Sequence, residues 1–222
     1  MIERKPLIVF DMDGVLVHER SSWRLVHDSL GTSNEMAFKA YMRGEIDDLE
    51  FMSKDIRLWM EKGLTRREDV SHILGSATLM DGFRRCTTTL SNMGTELAII
   101  SGGLDLLAER LGAIGNFDRC IANGLATRAD GTLTGEGILR VPLRDKGSVL
   151  RNMFKNSGTY GPVVSIGDSP VDIPMFEPSD LSIAFRPENA EVEKAADIVV
   201  HRSDLGEVLD ILIDHLQDSD LC

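Results

Sequence analysis

The chain has 222 residues, of which 42% are hydrophobic and 27% are charged, and its formal net charge is −12. This acidity argues against a nucleic-acid partner, because phosphate backbones attract basic surfaces. No apolar run approaches the roughly 20 residues of a membrane span, and the N-terminus lacks an apolar stretch of signal-peptide length, so we expect a cytoplasmic protein with no membrane partner.

Short apolar runs without polar alternation predict buried strands. In chain order they are Leu7–Phe10, 96–100, 163–166, Leu181–Phe185 and 197–200, with a shorter run at 120–123. Segments with apolar residues at helical spacing alternate with these runs, at 82–92, 105–111, 146–155 and 204–216. Asp130 and Gly131 lie between β-prone segments and predict a hairpin. The alternation predicts an α/β fold with a doubly wound, mostly parallel sheet.

Residues 17–80 interrupt this alternation. Ser22 is predicted to cap a helix, a longer helix follows around 49–59, and no strand-like run occurs. A segment of this length is too long for a loop within a compact domain. We therefore predict an α/β core of residues 1–16 and 81–222 and a small helical cap domain of residues 17–80.

Two carboxylates, Asp11 and Asp13, follow the first predicted strand, and Gly14 comes next. Ligands of open α/β sheets bind beyond the carboxyl ends of the strands. Carboxylates crowded together repel each other unless a cation lies between them, and a hard ion such as Mg²⁺ prefers oxygen ligands. The alternative interpretation is a polar turn without a function.

Polar residues also follow other predicted strands. Ser101 and Gly102 offer a hydroxyl and a backbone N–H group to an anion, Asp168 and Asp172 add two acids, and Lys146 begins a predicted helix. Each group alone also fits a plain strand–helix turn, a capped loop or a surface lysine. Together they predict one site with a metal and an anion.

The order of these motifs, strand-DxD, strand-SGG, Lys and strand-GDxxxD, resembles the haloacid dehalogenase superfamily, and the resemblance covers the whole chain. The stretches DMDGVLV, IISGG and GDSPVDIPMF are most similar to its phosphoserine phosphatase branch. The resemblance implies a Rossmann-like core with a helical cap. It also implies a phosphoric monoester hydrolase that acts on a small phosphorylated metabolite, with O-phospho-L-serine as the expected substrate.

The resemblance further implies chemical roles for the four acids. Asp11 would be the nucleophile that forms an aspartyl-phosphate, and Asp13 would be the general acid and base. Mg²⁺ would bind Asp11, Asp168 and the backbone carbonyl of Asp13. Asp172 would support the metal site or orient the lysine. Dehalogenases of the superfamily need neither a metal nor the second acid, so this set favours phosphate ester hydrolysis.

The remaining roles concern the substrate. Ser101, Gly102 and Lys146 would bind the phosphate. Glu19 would meet the substrate ammonium and Arg57 its carboxylate, although Glu19 also fits a loop charge and Arg57 a solvated helix residue.

Some positions depart from the phosphoserine phosphatase pattern. Val171 stands where that branch often has Asn, and Asp47 and Asp48 precede Leu49 where it tends to have an aromatic residue. Alternative functions therefore remain: hydrolysis of a sugar or glycerate phosphate, phosphoryl transfer to an acceptor other than water, or a non-catalytic binding module. The sequence leaves the oligomeric state open, a homodimer included.

Overall fold

A computed structural model describes residues 5–157 and 160–219, without the side chains of residues 155–157, 218 and 219. The strands are β1 Leu7–Phe10, β2 Glu96–Leu104, β3 Arg119–Thr127, β4 Leu133–Ile138, β5 Val163–Gly167, β6 Leu181–Phe185 and β7 Ile198–Val200. The helices are α1 Ser22–Leu30, α2 Glu35–Met42, α3 Asp48–Glu61, α4 Arg67–Leu74, α5 Phe83–Asn92, α6 Asp105–Gly115, α7 Lys146–Ser157, α8 Ile173–Phe176, α9 Ala190–Ala195 and α10 Leu205–Ser219.

The strands form one sheet in the order β4-β3-β2-β1-β5-β6-β7. All neighbouring strands are parallel except β3 and β4, which pair as an antiparallel hairpin. Gly131 lies at the tip of this hairpin with a φ of 83°, a conformation that glycine adopts without strain. The predicted doubly wound α/β fold and the predicted hairpin are confirmed.

The central strand β1 is buried on both faces of the sheet. Leu7 and Val9 belong to the apolar cluster on one face, and Ile8 and Phe10 belong to the cluster on the other. Successive side chains of a strand point to opposite faces, so a strand covered on both sides reads as a continuous apolar run. This explains why the sequence shows no polar alternation here.

Helices α1–α4 form a helical insertion, residues 17–80, between β1 and the rest of the sheet. Its two ends are joined at the base, where Met80 N donates to Leu16 O and His18 N donates to Thr78 O, both at 2.9 Å. Most of its buried apolar side chains, among them Val26, Ile56 and Trp59, belong to the same apolar cluster as one face of the sheet. The insertion therefore packs on the core instead of standing away from it, and its separation as a domain stays a prediction.

The start of α1 differs from the sequence prediction. Ser21, not Ser22, is the N-cap: its side chain accepts a hydrogen bond from Arg24 N at 3.2 Å. Ser22 is fully buried and bonds elsewhere, as described below. Either serine suits an N-cap, and only the packing of α1 against the sheet decides between them.

Helix α2 was not predicted from the sequence. Its N-cap residue, Asn34, makes no side-chain hydrogen bond to the helix, and Met36, Phe38 and Met42 are exposed on it. A short helix with exposed apolar residues lacks the one-sided pattern that reveals an amphipathic helix.

Among the described helices, none combines the length and the apolar character needed to cross a membrane.

Trp59 anchors the helical insertion, and we predict that Trp59→Ala lowers the free energy of unfolding by about 3–5 kcal/mol. The side chain is fully buried, and its ring packs against Trp23 with 5.3 Å between ring centroids. Denaturant unfolding measures the change. Met36→Ala, at a side chain that is 82% exposed, is the control and changes stability by less than about 0.5 kcal/mol. Equal losses in both variants would contradict the anchoring role.

Candidate active site

Polar side chains from several strand ends meet at the carboxyl edge of the sheet. Asp11 and Asp13 follow β1, Ser101 lies near the carboxyl end of β2, and Asp168 follows β5. All four side chains are less than a tenth exposed. They line one cavity of about 780 Å³, which the helical insertion covers on its other side. The parallel sheet thus brings together residues that lie far apart in sequence.

Lys146 is the cationic centre of this group. It is the first residue of α7 and is 1% exposed. Its Nζ lies 2.7 Å from Asp11 Oδ1 and 2.5 Å from Asp172 Oδ1. Burial disfavours the ammonium charge, but the two facing carboxylates outweigh this cost and raise the pKa of Lys146. The lysine therefore stays charged beside Asp11.

Asp13 is held by Ser22. The backbone N and the Oγ of Ser22 both donate to Asp13 Oδ2 at 2.8 Å, while Asp13 Oδ1 has no hydrogen-bond partner among the described residues. Burial and the neighbouring charge of Asp11 raise the pKa of Asp13 to about 7. A carboxyl group with such a pKa can carry a proton near neutral pH, as a general acid must.

Asp168 and Asp172 differ in what surrounds them. Arg20 donates from Nη1 to Asp168 Oδ2 at 2.5 Å, yet burial and the charge of Asp11 raise the pKa of Asp168 to about 8. Asp172 Oδ2 accepts hydrogen bonds from the backbone N of Asp168 and from the N and Oγ of Ser169. Its other oxygen accepts from Lys146. The protein itself therefore saturates Asp172, whereas Asp168 keeps capacity for a further cation.

The donor set fits a hard divalent cation. Oxygen atoms of Asp11, Asp168 and Asp172 lie within 4.8 Å of one another. The pKa of Asp11 is raised to about 6, chiefly by burial, with the charge of Asp172 adding to the shift. Crowded, buried carboxylates with raised pKa values gain most from a nearby positive charge, and carboxylate oxygens are what Mg²⁺ and Ca²⁺ bind. The positive charges of Lys146 and Arg20 are too few to balance the four acids of the site, which leaves an excess of negative charge.

The end of β2 is shaped by hydrogen bonds to its backbone. Ser101 Oγ accepts from Gly103 N at 3.1 Å. The carbonyl of Gly102 accepts from Trp23 Nε1 at 3.1 Å and from Asn123 Nδ2 at 3.2 Å. These bonds fix the peptide groups around Gly102 at the cavity wall, where backbone N–H groups can face an anion.

The structure does not bring Glu19 and Arg57 to the cavity. The Glu19 carboxylate accepts hydrogen bonds from Thr78 N at 3.0 and 3.2 Å, at the base of the helical insertion. Arg57 is exposed, and its side chain lies beside Gly135 of β4. Neither residue lines the cavity, so the geometry gives no support to their predicted contacts with substrate.

Sequence reasoning missed the cavity face of α3. Asp48, Phe51, Met52 and Asp55 line the cavity at positions i, i+3, i+4 and i+7, which is one face of a helix. Arg57 lies two residues beyond Asp55, about 200° around the helix axis. The helical phase of the apolar residues on α3 was the signal that could have placed Arg57 outside the cavity and Asp55 inside it.

Comparison with known proteins identifies the family. The model of the haloacid dehalogenase-like hydrolases matches residues 8–177, and a second model with the same description matches residues 143–212. The chain belongs to the haloacid dehalogenase-like hydrolases. The resemblance carried by the sequence motifs is thereby confirmed, and Asp11, Asp13, Ser101, Lys146 and Asp168 all lie within the matched span.

Several relatives of the chain carry the name of one activity. The phosphoserine phosphatase of Methanocaldococcus jannaschii is 30% identical over 94% of this chain and 98% of its own. A probable phosphoserine phosphatase of Schizosaccharomyces pombe is 30% identical over 98% of this chain and 74% of its own. A substrate-bound phosphoserine phosphatase complex superposes with a TM-score of 0.77 at 28% identity, covering 94% of this chain and 99% of that one. A phospho-aspartyl intermediate analogue of phosphoserine phosphatase covers the same shares at a TM-score of 0.76 and 28% identity.

Gly14 supports the site of this hydrolase, and we predict that Gly14→Ala lowers the free energy of unfolding by about 1–3 kcal/mol more than Gly94→Ala does. Both glycines have positive φ, 78° and 82°, so both substitutions carry a similar backbone cost of about 1–2 kcal/mol. Only at Gly14 does an added Cβ collide with Asp168 Oδ2. Denaturant unfolding of both variants measures the difference. Equal losses would show that Asp168 moves aside without cost.

Proposed function

We propose that the chain is a metal-dependent phosphomonoester hydrolase that works through an aspartyl-phosphate, with O-phospho-L-serine as substrate. The observation that carries this proposal is the convergence of Asp11, Asp13, Lys146 and Asp168 in one buried cavity. The relatives named phosphoserine phosphatase support the substrate. The complete acid and lysine set speaks against a non-catalytic binding module.

Asp11 and Asp13 divide the chemistry between them. A carboxylate oxygen of Asp11 attacks phosphorus while the bond from phosphorus to the alcohol oxygen breaks, and Asp13 gives its proton to that oxygen. Asp13 then takes a proton from a water molecule that attacks the aspartyl-phosphate, which releases phosphate and restores Asp11. The hydrogen bonds from Ser22 hold Asp13 in place, and its pKa of about 7 suits both steps.

Asp11, Asp168 and the backbone carbonyl of Asp13 would hold the cation, which we expect to be Mg²⁺. When bound, the cation supplies positive charge that lowers the pKa of Asp11 and offsets the charge of the phosphate. Asp172 is saturated by protein donors, so its role is to fix Lys146 and the backbone after β5.

Phosphoryl transfer needs charge neutralisation and positioning more than covalent help. Lys146 would face the phosphate oxygens from beside Asp11, and Ser101 and the N–H of Gly102 would bind them from the end of β2. Buried donors of this kind act strongly because they are fixed and shielded from water. The helical insertion would act as a cap that shields the reacting groups and contacts the alcohol part of the substrate.

The test of this proposal is phosphate release from O-phospho-L-serine beside a panel of small phosphate esters. We expect release that is lost with EDTA and restored by added Mg²⁺, because the acid cluster depends on a cation. Release that persists unchanged after exhaustive chelation would contradict the metal requirement. Release from none of the esters would contradict the proposed function.

The nucleophile is tested by Asp11→Asn, which we expect to lower kcat by roughly a thousand-fold or more, since an amide oxygen is a poor nucleophile. Steady-state phosphate release with Mg²⁺ measures the loss. Asp28→Asn is the matched control: Asp28 lies on α1, its side chain is 65% exposed, and the substitution removes the same charge. Retained turnover in Asp11→Asn would rule out the aspartyl-phosphate route.

A further inference from the structure

The cavity that holds the catalytic acids extends to a second carboxylate region on α3. Asp48 and Asp55 line it at positions seven residues apart, so both lie on the same face of the helix. Asp48 is tied to the protein, because its Oδ1 accepts hydrogen bonds from Tyr41 Oη at 3.0 Å and from Leu143 N at 3.2 Å. The other oxygen of Asp48 makes no hydrogen bond to the described residues either, but Asp48 is only partly buried, whereas Asp55 is 3% exposed, so an ionic partner matters more to Asp55.

Asp55 is a buried acid with one oxygen left for a ligand. It is 3% exposed, and it lies beyond the catalytic acids on the wall formed by the helical insertion. His27 Nε2 lies 2.9 Å from Asp55 Oδ1, and Asn34 Nδ2 donates to the same oxygen at 2.5 Å. The hydrogen bonds that the described residues make to Asp55 thus all end on Oδ1. Asp55 Oδ2 makes no hydrogen bond to the described residues and is not fully enclosed, so a cationic ligand in the cavity can reach it and form a charge-assisted hydrogen bond.

The neighbours of Asp55 favour a cation. Trp23 and Phe51 line the same cavity, and the faces of aromatic rings attract ammonium groups. A neighbouring cleft of about 450 Å³ shares Asp55 and Trp23 with the cavity, and acids Asp28 and Glu35 line it against Arg24. Asp28 lies 3.7 Å from Arg24 and Glu35 lies 3.6 Å from Lys39, so the charges of this cleft largely offset one another and do not repel an amine.

The cations of the cavity, among the described residues, are already engaged by the protein. Arg20 binds Asp168 and also donates to the carbonyl of Arg186 at 3.0 Å. Arg144 donates to the carbonyl of Tyr41 at 2.5 Å and lies over the Tyr41 ring at 4.8 Å. Both guanidinium groups keep further N–H donors, but each already faces a protein acceptor, whereas Asp55 Oδ2 has no hydrogen-bond partner among the described residues and is open to an amine.

We propose that Asp55 is the specificity-determining residue of the cavity and binds a cationic amine on the alcohol part of the phosphate ester. This inference rests on the proposed function and deepens it, since it makes the amine of the substrate, and not a carboxylate, the group that the helical insertion recognises. Phosphate esters of amino alcohols without a carboxylate are then substrates as well.

The first test uses the unaltered protein with Mg²⁺ and a pair of esters that differ in one group. O-phosphoethanolamine carries an amine where 2-hydroxyethyl phosphate carries a hydroxyl, and 3-phosphoglycerate carries a carboxylate without an amine. We expect kcat/KM to be about ten- to a hundred-fold higher for O-phosphoethanolamine than for 2-hydroxyethyl phosphate, the range of one charge-assisted hydrogen bond. Equal values, or a preference for 3-phosphoglycerate, would overturn the inference and leave the phosphatase function standing.

The second test assigns the preference to Asp55. We expect Asp55→Asn to lower kcat/KM for O-phosphoethanolamine at least ten-fold more than kcat/KM for 2-hydroxyethyl phosphate, which removes most of the preference for the amine. Glu61→Gln, which removes the same charge from an exposed position at the end of α3, is the control and keeps the preference. An equal loss on both esters in Asp55→Asn would mean that Asp55 only supports the structure, and would overturn the inference.

A binding measurement separates the inference from the proposed function. Calorimetry with Asp11→Asn compares the affinities for O-phosphoethanolamine and 2-hydroxyethyl phosphate without turnover. At least ten-fold tighter binding of the amine, lost in the double variant with Asp55→Asn, supports the inference even if no ester is hydrolysed. Equal affinities would overturn it whatever the activity.

Discussion

The contact between Lys146 and the carboxylates of Asp11 and Asp172 is the interaction on which the site depends. Several buried acids at one edge of a sheet repel one another, and burial makes each charge more costly. Lys146 offsets part of this cost from the start of α7, at 2.7 Å and 2.5 Å from the two acids. Asp172 in turn orders the backbone after β5, so the lysine links the nucleophile to the neighbouring strand end.

The same excess of negative charge that destabilises the site also supplies its chemistry. Burial, together with the charges of neighbouring acids, raises the pKa of Asp11, Asp13 and Asp168. A divalent cation would offset this negative charge, so that cation binding and stabilisation of the folded site would be coupled. Ser22 adds a constraint from α1, because its hydrogen bonds to Asp13 tie the helical insertion to the reacting groups.

The helical insertion connects this chemistry to selectivity. The indole N–H of Trp23 donates a hydrogen bond to the carbonyl of Gly102 near the end of β2, and the Trp23 ring packs on Trp59 in the insertion. Helix α3 lines the cavity with Phe51 and Asp55, and its Arg57 lies beside Gly135 of β4. If α3 recognises the substrate as proposed, the phase of this helix governs recognition, since a shift of two residues exchanges Asp55 for Arg57.

The sequence by itself determined the fold class, the family and the strand ends at which the acids lie, because buried parallel strands read as apolar runs and the motifs follow them directly. It did not determine which serine caps α1, the existence of α2, or the surroundings of Glu19 and Arg57. Those depend on how the helical insertion packs against the sheet, and a charged residue on a helix faces solvent or a cavity according to contacts between segments distant in sequence. Only the tertiary structure decided that Asp55 lines the cavity and that Glu19 bonds to Thr78.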